Sequence, residues 1–162
     1  MKPSKLVPKF LAQSGNEGCR LTVYLDEHNL RTIGIGHKLT QSELMSGKIL
    51  VGGQFVEYKN GITQDQANTL CLQDCEAAAG AVSRNIAAPL SQYEFDALTL
   101  FVFNVGAGAF AGSTLVRLLN QNEYGQVPDQ MRRWDHVCGV VSRGLAARRE
   151  REILVWQGVW NG

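Results

Sequence analysis

Glu17, Asp26 and Thr32 fall in one short run, Glu17-Gly18-Cys19-Arg20-Leu21-Thr22-Val23-Tyr24-Leu25-Asp26, closed by Thr32-Ile33-Gly34-Ile35-Gly36-His37. Two carboxyl groups and a hydroxyl on one small unit are the parts needed to hydrolyse a glycosidic bond. One carboxyl must keep its proton and give it to the leaving oxygen. The other must stay ionised, to activate water or to attack the sugar. No other stretch of the chain offers a comparable set. Singly, each residue has an ordinary reading: Glu17 as a surface residue after a helix, Asp26 as a turn cap, Thr32 as a strand threonine. The case for chemistry lies in the set.

The surrounding pattern supplies elements to hold these groups. Ser4 caps a helix predicted over 5–14, with Leu6, Val7, Phe10 and Leu11 as its apolar face. Gly15 and Gly18 end it. Glu17 then follows a helix C-terminus, whose negative pole disfavours an ionised carboxylate and helps Glu17 retain a proton. Leu21–Asp26 and Arg31–Ile35 alternate apolar and polar residues around the turn-like Glu27-His28-Asn29-Leu30, which predicts a β-hairpin. Phe55–Tyr58, before Asn60-Gly61, is a candidate third strand. The stretch 41–53 has no clear period.

From Thr63 the period becomes helical. Thr63 and Gln66 form a capping box for a long helix over about 64–84. Ser91 opens a strongly apolar helix carrying Phe95, Leu98, Thr99, Phe101, Val102 and Val105, and Gly106-Ala107-Gly108 breaks it. Ser113 caps a further helix, and Asp129–Trp134 and Arg143–Trp156 supply two more. A helix, a small sheet and then a run of helices read as an α+β fold with segregated elements.

Composition limits what else the chain can be. With 162 residues, 44% hydrophobic and 19% charged, it can bury a core without disulfides or metal. A formal charge of +1 gives no global field for a nucleic-acid partner. Cys19, Cys71, Cys75 and Cys138 are expected as buried free thiols, and no zinc ligand set completes around Cys71 and Cys75. No metal or other cofactor is implied. The N-terminus, broken by Pro3, Pro8 and Lys9, is no secretory signal, and nothing reaches transmembrane length. The expectation is a protein held in the cytosol that does not insert into a membrane itself. His37 has a side chain suited to a general base, but its place at a strand end favours a structural pair with Asp74.

The ordered set Glu17-Gly18-x-Arg20-Leu21-x-x-Tyr24-x-Asp26 and Thr32-Ile33-Gly34-x-Gly36-His37 strongly resembles the phage-type lysozymes, the endolysins of glycoside hydrolase family 24. The resemblance continues in Phe103-Asn104-Val105-Gly106, Phe110-Ala111-Gly112-Ser113-Thr114, Arg132-Arg133-Trp134 and Gly144-Leu145-x-x-Arg148-Arg149-x-x-Glu152. It spans nearly the whole chain apart from residues 41–60. It implies a mostly helical, lysozyme-like α+β fold. The expected organisation is one catalytic domain: a sheet lobe at about 15–63, a connecting helix at about 64–84, and a helical lobe at about 85–162 joined by helix 5–14, with the substrate cleft between the lobes.

The implied activity is that of a muramidase, cleaving the β-1,4 bond between N-acetylmuramic acid and N-acetylglucosamine in bacterial peptidoglycan. Glu17 is then the acid, while Asp26 and Thr32 hold the attacking water. For an inverting displacement the two carboxyl groups should stand about 6.5–9.5 Å apart. Arg148 matches an arginine that faces the catalytic glutamate and would hold its carboxyl. Asn104 would contact an acetamido sugar, Trp134 is either core or sugar platform, and Phe110 begins a helix lining the lower cleft. The implied setting is a monomeric phage lysis enzyme, waiting in the host cytoplasm for a separate holin-like membrane partner. A lytic transglycosylase would need no Asp26 or Thr32, and a wall-binding module would not need Glu17.

Overall fold

The computed structural model describes residues 1–162 apart from Ser14 and Glu27. The last residue of the helix predicted over 5–14, and the first of the predicted 27–30 turn, therefore lie outside the described residues. The chain divides into two compact units, Val7–Asp74 and Met1–Leu6 with Cys75–Gly162.

The first helix, α1, is Leu6–Leu11, shorter than the predicted 5–14 but coextensive with its apolar face. Ser4 caps it, its Oγ accepting from Leu6 N at 3.1 Å. Beyond it the Glu17 and Gly18 amides both donate to the Leu11 carbonyl, at 3.1 and 3.0 Å. The chain thus folds back onto the helix end, satisfying a carbonyl that the helix leaves open.

The predicted hairpin is β1 (Arg20–Leu25) and β2 (Arg31–Gly34), antiparallel. The third strand of this sheet is β3, His37–Lys38, which pairs with β2; it is not the 55–58 segment. The sheet order is β1-β2-β3. Thr32 lies on the central strand with Tyr24 and Lys38 as its cross-strand partners.

The stretch without a period holds α2, Gln41–Ser46, and β4, Lys48–Val51. Thr40 and Glu43 make a reciprocal capping box, and Gly47 ends α2 in the left-handed conformation. β5, Gln54–Glu57, pairs with β4 in a separate two-stranded hairpin. The helix predicted over 64–84 is two helices, α3 (Gln64–Asp74) and α4 (Glu76–Asn85), with a turn at Cys75. Cys75 keeps right-handed helical dihedrals (φ −79°, ψ −8°) and has no side-chain cap. The residue at the interruption is neither glycine nor proline, so the sequence carries no sign of it.

In the second unit α5 (Gln92–Val105) starts at a Ser91–Glu94 capping box. It is followed by α6 (Ala107–Ala111), α7 (Thr114–Asn120) behind the Ser113 cap, and α8 (Val127–Arg132), which has a proline in its first turn. A short hairpin absent from the sequence reading, β6 (His136–Val137) with β7 (Val140–Val141), precedes α9 (Arg143–Trp156). Helix α9 packs along α5, and Phe95, Leu98, Phe101, Val102, Ile153 and Val155 are buried. Among the described residues no helix is long and apolar enough to cross a membrane. None of the four cysteines is in a disulfide, but only Cys71 and Cys75 are buried; Cys138 is exposed and Cys19 half-buried. Cys138 takes φ 50° on the exposed β6–β7 turn, outside the core.

Candidate active site

In the sheet unit, Glu17, Asp26 and Thr32 line one open pocket of about 370 Å³, together with Asn16, Arg20, Tyr24, Leu25, His28, Gly36 and Lys38. Local backbone explains each placement. Asp26 ends β1 and starts the turn. Its Oδ1 accepts from Leu30 N at 2.8 Å and His28 N at 2.9 Å, an Asx-type arrangement natural to aspartate. The Leu30 amide, joined by the His28 amide and the Lys38 cation, holds the Asp26 carboxyl below its ordinary pKa, against a smaller opposing effect of burial. Asp26 is therefore an anion at neutral pH. Lys38 Nζ stands 3.9 Å from its Oδ2.

Thr32 is buried, and its hydroxyl donates to the Leu30 carbonyl at 3.0 Å. With its proton engaged, the oxygen offers the pocket only lone pairs. Glu17 packs against the β2–β3 turn. Gly36 has φ +75°, and a Cβ there would meet Glu17 Oε2 at 3.0 Å and its Cβ and Cγ at 3.1 Å. Glycine thus does two things at position 36: it takes the left-handed turn, and it lets the backbone close on the glutamate.

Arg20 and Tyr24 complete the wall, the Arg20 guanidinium lying 4.8 Å from the Tyr24 ring centroid. Burial raises the Tyr24 pKa, and although Arg20 pulls it down, Glu17 and Asp26 add to the rise; Tyr24 stays neutral. Both residues stand in the sequence motif, which by itself gives them no role. The register of β1 on β2 shifts between Arg20 and Tyr24, and this bulge, rather than regular strand alternation, brings the two side chains together. Lys38 was also missed. Only the register that sets it opposite Thr32 brings it in.

His37 Nδ1 lies 2.9 Å from Asp74 Oδ2, and its Nε2 lies 3.3 Å from Glu43 Oε2. Burial alone would lower the His37 pKa, but Asp74 and then Glu43 outweigh it and raise the pKa. This cluster joins β3, α2 and α3. His37 does not line the pocket that holds Glu17 and Asp26.

The remaining candidates belong to the helical unit. Asn104 and Trp134 line a second pocket of about 360 Å³ with Val105, Arg133, His136 and Leu145. Phe110 is fully buried, edge-on to Phe101 with ring centroids 6.5 Å apart. It has no surface to offer a sugar, so its part is support from the core. Trp134 stands edge-on to Phe101 at 5.7 Å and is only half-buried, which makes it both packing and pocket wall.

Arg148 is buried and donates through Nε to Glu152 Oε1 at 3.0 Å. Arg149, for which no role was read, is fully buried, and its Nε lies 3.2 Å from Glu152 Oε2. Its guanidinium covers the Phe101 ring at 4.9 Å and donates to Asn104 Oδ1. A guanidinium only donates, so Asn104 must turn its oxygen to Arg149 and keep its amide hydrogens for other partners. The spacing 148–149–152 places this arginine on the same helical turn as its carboxylate.

A family model described as phage lysozyme matches residues 14–152. The chain belongs to the phage lysozyme family. Its activity is that of a lysozyme, a glycoside hydrolase that degrades peptidoglycan in phage lysis. It is 36% identical to the endolysin of Salmonella phage P22 over 84% of this chain and 86% of that protein. It is 33% identical to the SAR-endolysin of bacteriophage PS119 over 88% of this chain and 78% of that one. Among solved structures, a P22 lysozyme mutant superimposes with a TM-score of 0.76 at 30% identity, covering 97% of this chain and 99% of the other. The muramidase domain of SpmX from Asticaccaulis excentricus gives a TM-score of 0.70 at 25% identity, covering 96% and 97%. The family model's range includes residues 41–60, where the sequence motifs give no guide.

Proposed function

We propose that this lysozyme hydrolyses the β-1,4 bond between N-acetylmuramic acid and N-acetylglucosamine with Glu17 as general acid and Asp26 as the base that activates water. The observation that carries the reading is one pocket lined by both carboxyl groups and Thr32, with Asp26 fixed as an anion by backbone amides. Glu17 gives its proton to the glycosidic oxygen as the bond to the anomeric carbon breaks. A water hydrogen-bonded to Asp26 and to the lone pairs of Thr32 attacks that carbon, and its proton passes to Asp26. The outcome is inversion. Asn104 and Trp134 serve as substrate contacts, and we assign Arg148 the positioning role that the resemblance gives it. The enzyme works as a monomer. It waits in the host cytoplasm and reaches the wall through a separate membrane-permeabilising protein.

Glu17→Gln keeps the shape of the side chain and removes the transferable proton. Clearing of a bacterial wall suspension should slow by about 10²–10⁴-fold, the usual range for a lost general acid. Equal clearing by both proteins would refute the acid role. Proton NMR of the first product on a defined muropeptide should show the α anomer. A β anomer would reassign Asp26 as nucleophile, and an anhydromuramic end would show that water is not the attacking group.

A further inference from the structure

The β4–β5 hairpin presents an outward face that neither the core nor the pocket uses. Leu50 and Phe55 are cross-strand partners. They are 44% and 74% exposed, while Ile49 and Val51, on the opposite face of β4, are buried. Alternation along β4 therefore spends one set of side chains on the core and shows the other to solvent. The hairpin is held firmly. The side chain of Gln73, on α3, accepts from Gly52 N at 2.7 Å and donates to the Leu50 carbonyl at 3.1 Å. Tyr58, just beyond β5, donates its hydroxyl to the Glu43 carbonyl at 3.0 Å. An exposed phenylalanine fixed in this way costs solubility and contributes nothing to the core.

We propose that the Leu50–Phe55 face is an auxiliary platform for the sugar rings of a peptidoglycan strand, a contact outside the catalytic pocket; this rests on the muramidase reading. The size of the patch argues for a polymer. Two side chains expose on the order of 200 Å², while a stable protein partner needs about 800 Å² from each side. Charge argues in the same direction. The hairpin has one cation and one anion, Lys48 and Glu57, and they face each other at 3.7 Å. An anionic lipid surface is bound through clusters of surplus cations, and within the hairpin none is left over, exposed Lys59 beyond it being a single charge. A pyranose ring presents a C–H face about the size of the Phe55 ring, with polar groups around its edge. For a glycan strand long enough to run from the pocket to this face the second contact is intramolecular, so a weak platform suffices.

The test measures binding to purified, insoluble sacculi in a Glu17→Gln background, so that the wall is not digested during pelleting. Adding Phe55→Ser should weaken retention by about fivefold, the loss that about 40 Å² of apolar burial represents. Phe55→Trp should restore or tighten it through a larger face. The melting midpoint of each variant, followed by circular dichroism, should match the Glu17→Gln parent, because position 55 is outside the core. Unchanged retention in both variants would overturn the proposal. So would a dimer in sedimentation equilibrium that Phe55→Ser abolishes, or Phe55-dependent pelleting with phosphatidylglycerol vesicles. Reducing-end release by the unsubstituted enzyme is read separately: its absence would sink the muramidase reading, whereas normal release with unchanged retention would sink the platform alone.

Discussion

The two carboxylates Asp26 and Glu152 are held in opposite ways. Asp26 sits on the wall of an open pocket, with one oxygen fixed by two amides of its own turn and the other beside a lysine. Glu152 has no exposed surface and is held by side chains, the guanidiniums of Arg148 and Arg149. Backbone amides stabilise the anion of Asp26 while leaving it wet and reachable by water. The buried cluster is closed to solvent, and its product is geometry: Arg149 turns the Asn104 amide and covers Phe101. A base that must take a proton belongs to the first kind, a positioning group to the second. This contrast predicts which substitutions cost rate and which cost stability.

Asp26→Asn should give the larger effect on rate. Asparagine keeps an oxygen that can accept from the Leu30 and His28 amides, so the turn survives. What is lost is the negative charge and the capacity to take a proton. Hydrolysis of cell walls should fall by about 10²–10⁴-fold with the melting temperature nearly unchanged. A rate within tenfold of the parent would place the base elsewhere and erase the contrast on its catalytic side.

Glu152→Gln should do the reverse. Burial already pulls the Arg149 guanidinium below its ordinary pKa, and Glu152 offsets part of that while Arg148 adds to it. Burial likewise pushes the Glu152 pKa up, and Arg149 and then Arg148 pull it back; with a neutral amide at 152, the fully buried Arg149 loses the carboxylate beside it. Breaking a buried ion pair from one side costs about 3–5 kcal/mol, measurable as a shift in the urea midpoint at constant slope. A shift below about 1 kcal/mol would mean that the cluster relaxes into solvent, contrary to its burial.

Legibility in the sequence divided along the same line. Groups held by local backbone could be read, because an aspartate at a turn and a serine three residues before a glutamate carry their partners within a few positions. The Thr63–Gln66 box is legible this way, as is the Ser91 cap, while the reciprocal partner Glu94 and the equally local Thr40–Glu43 box are visible but unused. Glu17, Asp26 and Thr32 came to notice together because one hairpin unit carries them. What could not be read depends on tertiary neighbours. The grip of Arg149 on Asn104 joins residues 45 apart. Phe110 looked like a cleft residue until its packing on Phe101 appeared. Strand β5 pairs with β4 across the two-residue Gly52-Gly53 turn, both residues at positive φ, and the third strand of the first sheet is the two-residue β3, too short to show a period. The break at Cys75 has no residue-level signature at all.

His37 stands between the two kinds, a half-buried imidazole that ties three elements through Asp74 and Glu43, and its effect should be the smallest of the three and the one that depends on pH. Its pKa is raised in the folded chain. The stability it contributes is therefore fully present below its unfolded value of about 6.5 and is lost as pH rises through the folded value. Glu43 runs the other way. Burial opposes its ionised form, but the Thr40 amide and hydroxyl and then His37 prevail, so its pKa is lowered. Its contribution is present above an unfolded value of 4.5 and is lost as pH falls through the folded value. The melting-temperature gap between the parent and His37→Asn should therefore be widest between about pH 5 and 6.5 and should shrink in alkali. A gap of a few degrees is expected there, about 1 kcal/mol in a domain of this size. Glu43→Gln should reduce the gap without removing it, because Asp74 remains. A gap that stays flat from pH 5 to 9 would show that His37 acts by packing alone, and would move it from the charged side of the comparison to the core.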